Sequence, residues 1–331
     1  LPAICDSPVR TYPRPPRPDQ ISIAATDGSQ IFPDRHEVAA CFLINIGYLL
    51  LHYGTGEKPL MNSIPSLYYG DTLEAWEGRR IYPNRESVGL RRGTMEFTEL
   101  AELSVAAQQE GHQVAALADG TLILWSLEGR PQELRDLVVE AHLEAFEQLR
   151  RNRIPVAGYI SKSGGRDLTN ALRLGLCPLE APDCDRCPWR EGAIEPGDPE
   201  LPCGAIGGID DGILLRQSLT VGQRTPAFAS RSKILEAYGD HHVWFFYVHV
   251  GREIARVEVP QWVAEDEELL DLVHACVCDQ AEKGNGYPVA LSEAHEQAIV
   301  RGRDRERFYA LVEESMVRGD LGAGLSTKSA S

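Results

Sequence analysis

The spacing of apolar positions changes several times along the chain, and each change predicts an element. Residues 21–26, ISIAAT, read as a strand, and the Asp27-Gly28 that follows predicts a turn. The apolar run at 37–51 predicts a long second strand, whereas Gly, Pro and Asn break every pattern between 52 and 86. From 86 to 111 Leu100, Leu103 and Ala107 recur at helical steps, with Gly111 as the stop. A strand is expected at 114–118, another at 121–126 after a tight turn, a helix at 131–153 and a strand at 154–161. Later come a hairpin or strand entry at 208–216, a strand pair at 242–260, and helices at 266–278 and 291–314.

This order places the chain in the α/β class, with a proline-rich arm at 1–20, one mixed domain at 21–320 and a flexible tail at 321–331. The longest apolar stretch, 38–51, falls short of the roughly 20 residues that span a bilayer and contains Asn45 and Gly47, so no membrane span is expected. The opening LPAICDSPVR shows no basic stretch followed by an apolar one, and secretion is not expected. Eight cysteines in 331 residues are too few for a disulfide framework and suggest a reducing compartment, with a cytoplasmic, nucleoid-associated location expected. A net charge of -16 argues against attraction of nucleic acid to the whole surface but leaves room for a local basic groove. Arginines cluster at 78–92, 149–153 and 301–308, each time among acids, as on solvated faces.

Two apolar strands each followed by Asp-Gly, at Asp27 and Asp119, bring like charges towards one end of a sheet, which is costly unless a cation joins them. Two independent turns are the plainer account. Glu96 stands one helical step before Leu100 and so falls on the apolar stripe, with Glu99 as the reserve. Such oxygen donors suit Mg²⁺ or Mn²⁺. His295, in GYPVALSEAHEQAIV, is a further candidate, and it tilts the preference to Mn²⁺; Tyr287 stands eight residues before it. HEQAI lacks the second histidine of a zinc-peptidase motif, and GTGEKP at 54–59 lacks the spacing of a phosphate-binding loop, which disfavours an ATPase or kinase.

TDGSQ at 26–30, RRGTME at 91–96, ADGTL at 118–122, FYVHVGREIARVEVPQW at 246–262 and GYPVALSEAH at 286–295 together resemble the NurA family of DNA-repair nucleases. The likeness runs from about residue 20 to about 315. It implies a ribonuclease H-like core related to the Argonaute nuclease domain, a mixed sheet flanked by helices, with additional C-terminal strands and helices. It also implies Mn²⁺-dependent cleavage of DNA, by single-strand endonuclease and 5′ to 3′ exonuclease action in end resection. The partners implied are DNA, a HerA-type hexameric ATPase and a second copy of the chain. The family's motif positions fall on Asp27, Glu96, Asp119, Tyr287 and His295, of which Asp27, Glu96, Asp119 and His295 are the expected metal ligands. Arg91, Arg92 and Lys162 are candidates to hold the DNA backbone.

The segment 177–203 fits the family pattern poorly. Its Cys177, Cys184, Cys187 and Cys203 suit either a structural zinc or a surface insertion whose thiols are incidental. Two other functions share parts of the pattern: a DNA-processing scaffold whose centre has decayed, and a metal phosphatase acting on small esters.

Overall fold

The computed structural model describes residues 3–4, 10–32, 41–184, 186–187, 203–204 and 206–317. Parts of the expected arm and of the cysteine-bearing insertion, residues 37–40 of the second strand, and the 321–331 tail lie outside the described residues. Strands and helices are numbered along the chain. Two compact units emerge, one from Leu1–Arg17, Gly120–Ile123 and Ala157–Pro288, the other from Pro18–Asp119, Leu124–Val156 and Val289–Ser331.

The first unit contains β1 (Ala3–Ile4), most of β8 (Val156–Ile160), β9 (Phe228–Ala229), β10 (Val243–His249) and β11 (Ile254–Pro260). These pair antiparallel in the order β1-β9-β10-β11-β8. Its helices are α3 (Asp167–Gly175), α4 (Asp211–Leu215), α5 (Gln261–Ala264) and α6 (Glu267–Lys283). The strand entry expected at 208–216 is helix α4, because the Asp210 carboxylate accepts the Ile213 N–H and caps a turn. Residues 121–126 form no strand either. There the Glu258 carboxylate accepts the Thr121 hydroxyl and the Leu122 N–H, so a side chain takes the place of a ladder partner. The proline-rich segment is fastened down, with Tyr12 and Arg224 exchanging backbone hydrogen bonds and Arg14 paired to Glu282.

The second unit contains β2 (Ile21–Ile31), β3 (Cys41–Tyr53), β4 (Leu60–Tyr69), β5 (Ala75–Trp76), β6 (Arg79–Arg80) and β7 (Val114–Asp119). Its helices are α1 (Arg85–Gln109), α2 (Gln132–Arg151), α7 (Val289–Ala298) and α8 (Gly302–Val317). The sheet order is β7-β2-β3-β4, with β2, β3 and β4 antiparallel and β7 parallel to β2, while β5 and β6 pair apart. A meander whose first strand is flanked by a parallel fourth is the mixed, ribonuclease H-like arrangement. β4 lies in the stretch expected to be irregular, where Pro65 breaks the pattern; as an edge strand it tolerates the proline and leaves Leu60, Met61, Ile64 and Leu67 exposed. The C-terminal helix expected over 291–314 is two helices. Ser29 Oγ and Asn45 Nδ2 both donate to the Ala298 carbonyl and end α7, and Asp304 accepts the Arg301 N–H where α8 begins.

Candidate functional site

The turn expected at Asp27 is absent: β2 runs on to Ile31, still paired with β3. Its Gly28 answers a close approach, since a Cβ there would lie 2.4 Å from Glu96 Oε1 and 2.9 Å from Arg92 Cγ. The second Asp-Gly does turn the chain, with Gly120 at φ +88°. In the parallel register Thr26 is level with Ala118, so the residues that follow, Asp27 and Asp119, occupy matching positions where β7 ends beside the continuing β2.

Helix α1 crosses this end. The Asn84 side chain caps it by accepting the Glu86 and Ser87 N–H groups. Phe97, Leu100, Ala101, Ser104 and Ala107 form its buried face, and the Thr26 hydroxyl donates to the Glu96 carbonyl across to β2. Glu96 lies at the edge of that face, with Arg92 Nε 3.2 Å from its Oε1, while Arg92 Nη1 donates to the Gly28 carbonyl. Glu99 instead lines a cavity of about 500 Å³ whose walls include Thr98 and Glu102 of α1 and Leu137 and Glu140 of α2.

Burial pushes the Glu96 carboxyl up to about 7; Arg92 opposes the rise, Asp27 and Asp119 add to it, and the Gly28 N–H opposes it. Glu96 Oε1 is buried and has no hydrogen-bond partner. A buried acceptor in that state is costly, and a cation is one group that would satisfy it.

Helix α7 supplies the imidazole. His295 Nδ1 lies 2.5 Å from Asp27 Oδ2, and since a carboxylate only accepts, the Nδ1–H is the donor. The helix reaches this position over Gly47, which pairs with Asp27 across the sheet; a Cβ at Gly47 would lie 2.3 Å from the Ala298 nitrogen and 2.6 Å from the Ala294 carbonyl.

The other sequence candidates belong to the first unit or are otherwise engaged. Tyr287 belongs to the first unit, where its ring meets Tyr159 edge-on at 5.5 Å. So does Lys162, whose N–H donates to Glu253. Arg91 lies 3.8 Å over the Tyr68 ring and donates to the Ala75 carbonyl. None of Cys177, Cys184, Cys187 and Cys203 is in a disulfide.

Among the described residues, His52, Glu57 and His112 alone bring three ligand atoms within 4.8 Å of one another, a cluster able to hold a metal ion. No motif spacing announces it, because its members come from a strand end and two separate turns. Asp27, Glu96, Asp119 and His295 gather where β7 ends beside β2 without reaching that mutual spacing. Asp27 and Asp119 repel the Glu96 carboxylate, which leans on Arg92.

No helix of the described residues is long and apolar enough to cross a membrane. No curated protein matches the sequence. The solved NurA nuclease from Sulfolobus solfataricus is similar over 90% of this chain and 85% of that one, at 15% identity and a TM-score of 0.55, a likeness of fold. LC9-RNase H1, a type 1 RNase H with the type 2 active-site motif, covers 47% of this chain and 71% of its own at 12% identity, but its TM-score of 0.25 is too slight to bear on the fold. The model of the NurA domain matches residues 21–300, most of the sequence, and on that match the chain belongs to the NurA family.

Proposed function

We propose that this chain is a metal-dependent deoxyribonuclease, with its centre at Asp27, Glu96, Asp119 and His295. The observation that carries the reading is the buried Glu96 Oε1, which accepts no hydrogen bond and has Arg92 at ion-pair distance, beside the Asp27–His295 pair. The donor set, three carboxylates and one imidazole, fits Mn²⁺, with Mg²⁺ the next choice. Bound there, such an ion lowers the pKa of a water and stabilises charge on phosphoryl oxygens.

The chain's own residues do the rest. Asp27 holds the His295 ring by Nδ1, which leaves Nε2 to bind the ion or to pass a proton. Arg92 and the Gly28 backbone hold Glu96, and burial holds its pKa at about 7, where a bound cation would favour the charged carboxylate. Tyr287, Arg91, Arg92 and Lys162 are assigned to substrate, Tyr287 by its hydroxyl and the basic residues by phosphate contact. DNA is the substrate, cut by single-strand endonuclease and 5′ to 3′ exonuclease action in end resection. A HerA-type hexameric ATPase and a second copy of the chain are the partners. Solved NurA nuclease similarity and family membership support this reading.

The test is cleavage of single-stranded DNA with Mn²⁺. His295→Ala is expected to reduce the rate by about 10²-fold or more, the usual weight of a positioned acid or base, and Asp27→Ala at least as much. A well-folded wild-type chain that binds DNA yet leaves it whole with either metal would favour the decayed scaffold instead.

A further inference from the structure

Five residues along β2 and β3 from the Asp27–Gly47 pair, about 17 Å at the usual strand rise, Ser22 stands opposite His52. His52 sits near the end of β3, Glu57 on the turn that follows, and His112 on the turn between α1 and β7. We propose that His52, Glu57 and His112 are a zinc site, separate from the centre at Asp27.

Their ligand atoms all lie within 4.8 Å of one another. The two imidazole rings are 4.7 Å apart between centroids, tilted by 39°. His112 Nε2 is 3.6 Å from Glu57 Oε2, too far for a hydrogen bond, so these groups face each other without satisfying each other. The buried Ser22 hydroxyl is 2.8 Å from His52 Nδ1. When it accepts the Nδ1–H, Nε2 is left with its lone pair for a metal, the usual use of a second partner on a ligating histidine.

The backbone that carries the ligands is fixed independently of any ion. Gly54 at φ +71° takes a conformation that suits glycine, and a Cβ there would lie 2.3 Å from the Asp19 carbonyl. Gly56 follows at φ +78°, and the Glu57 N–H donates to Thr55 Oγ1. After Gly111, at φ +99°, the His112 N–H donates to the Ala107 carbonyl. The His112 side chain is only 12% exposed, whereas Glu57 is 53% exposed and closes the site from the solvent side.

Two nitrogens and one oxygen suit Zn²⁺ far better than Mg²⁺ or Ca²⁺, and three protein ligands leave the fourth position to water. The ion ties the β3–β4 turn to the C-terminal end of α1, the helix that carries Glu96.

The experiment titrates ZnCl₂ into the full chain after chelation, by calorimetry and by thermal unfolding. Cys184→Ser and Cys187→Ser are present throughout to remove the Cys-x-x-Cys pair. The expected result is roughly one Zn²⁺ per chain with a raised Tm. Asp27→Ala leaves this binding unchanged, while His52→Asn, His112→Ala and Glu57→Gln each weaken it by about tenfold or more. Co²⁺ in place of zinc gives visible absorption without a thiolate charge-transfer band. Absence of Zn²⁺ binding in this Cys184→Ser, Cys187→Ser background overturns the proposal, as does affinity untouched by Glu57→Gln. Because Glu57 is exposed, that variant decides the matter even where the histidine variants fail to fold.

Discussion

Glu96 sits in an environment unlike that of an ordinary surface carboxylate. Its pKa rises from 4.5 to about 7 on folding, so the metal-free fold takes up a proton that the unfolded chain has already lost. The resulting stability is complete below about pH 4.5 and disappears as the pH climbs through about 7. The side chain keeps 22% of its exposure, which limits the total to roughly 2–3 kcal/mol. Urea unfolding of chelated protein should show wild type losing that much across the window relative to Glu96→Gln. Equal pH profiles for the two proteins would contradict the burial assigned to this carboxyl.

The two glycines at the site act on different elements, and their variants separate accordingly. A Cβ at Gly28 meets side-chain atoms only, Glu96 Oε1 and Cγ and Arg92 Cγ, which can shift without moving the backbone. Gly28→Ala is therefore expected to change thermal stability by less than about 1 kcal/mol while reducing Mn²⁺-dependent cleavage at least tenfold. At Gly47 the neighbours are α7 backbone atoms, which cannot yield without moving the helix. Gly47→Ala should cost about 1–3 kcal/mol or more and release α7, seen as faster amide exchange over 289–298. The main helices and strands were legible from their patterns, because α1 and α2 each bury one stripe while β2 and β7 begin as unbroken apolar runs buried on both faces. Asp-Gly misled at residue 27, since a glycine demanded by a crossing helix looks like one demanded by a turn. β4 was hidden because an edge strand need not alternate cleanly, and the division between α7 and α8 because it depends on Ser29 and Asn45, more than 250 residues away. His52, Glu57 and His112 left no trace in spacing, for their meeting depends on how a strand end and two turns come together.

At the scale of the whole molecule, a net charge of -16 opposes the approach of a polyanion. On the nuclease reading, single-stranded DNA is held by a few local cations, and its affinity for the chain alone falls steeply with salt. Lys162→Ala should lower the slope of log K against log salt by roughly one contact's share, about 0.7 for single strands, and weaken binding alike for all sequences. An unchanged slope would remove Lys162 from the phosphate contacts.

The helix that presses on Gly47 has a further consequence for how the protein is made. His295 leaves the ribosome 268 residues after the aspartate it touches. Copies abandoned before that point carry Asp27, Glu96 and Asp119 but no imidazole to join them. On the nuclease reading, chains that stop short of α7 are blunt, and the capacity to cut DNA is withheld until that helix has been made.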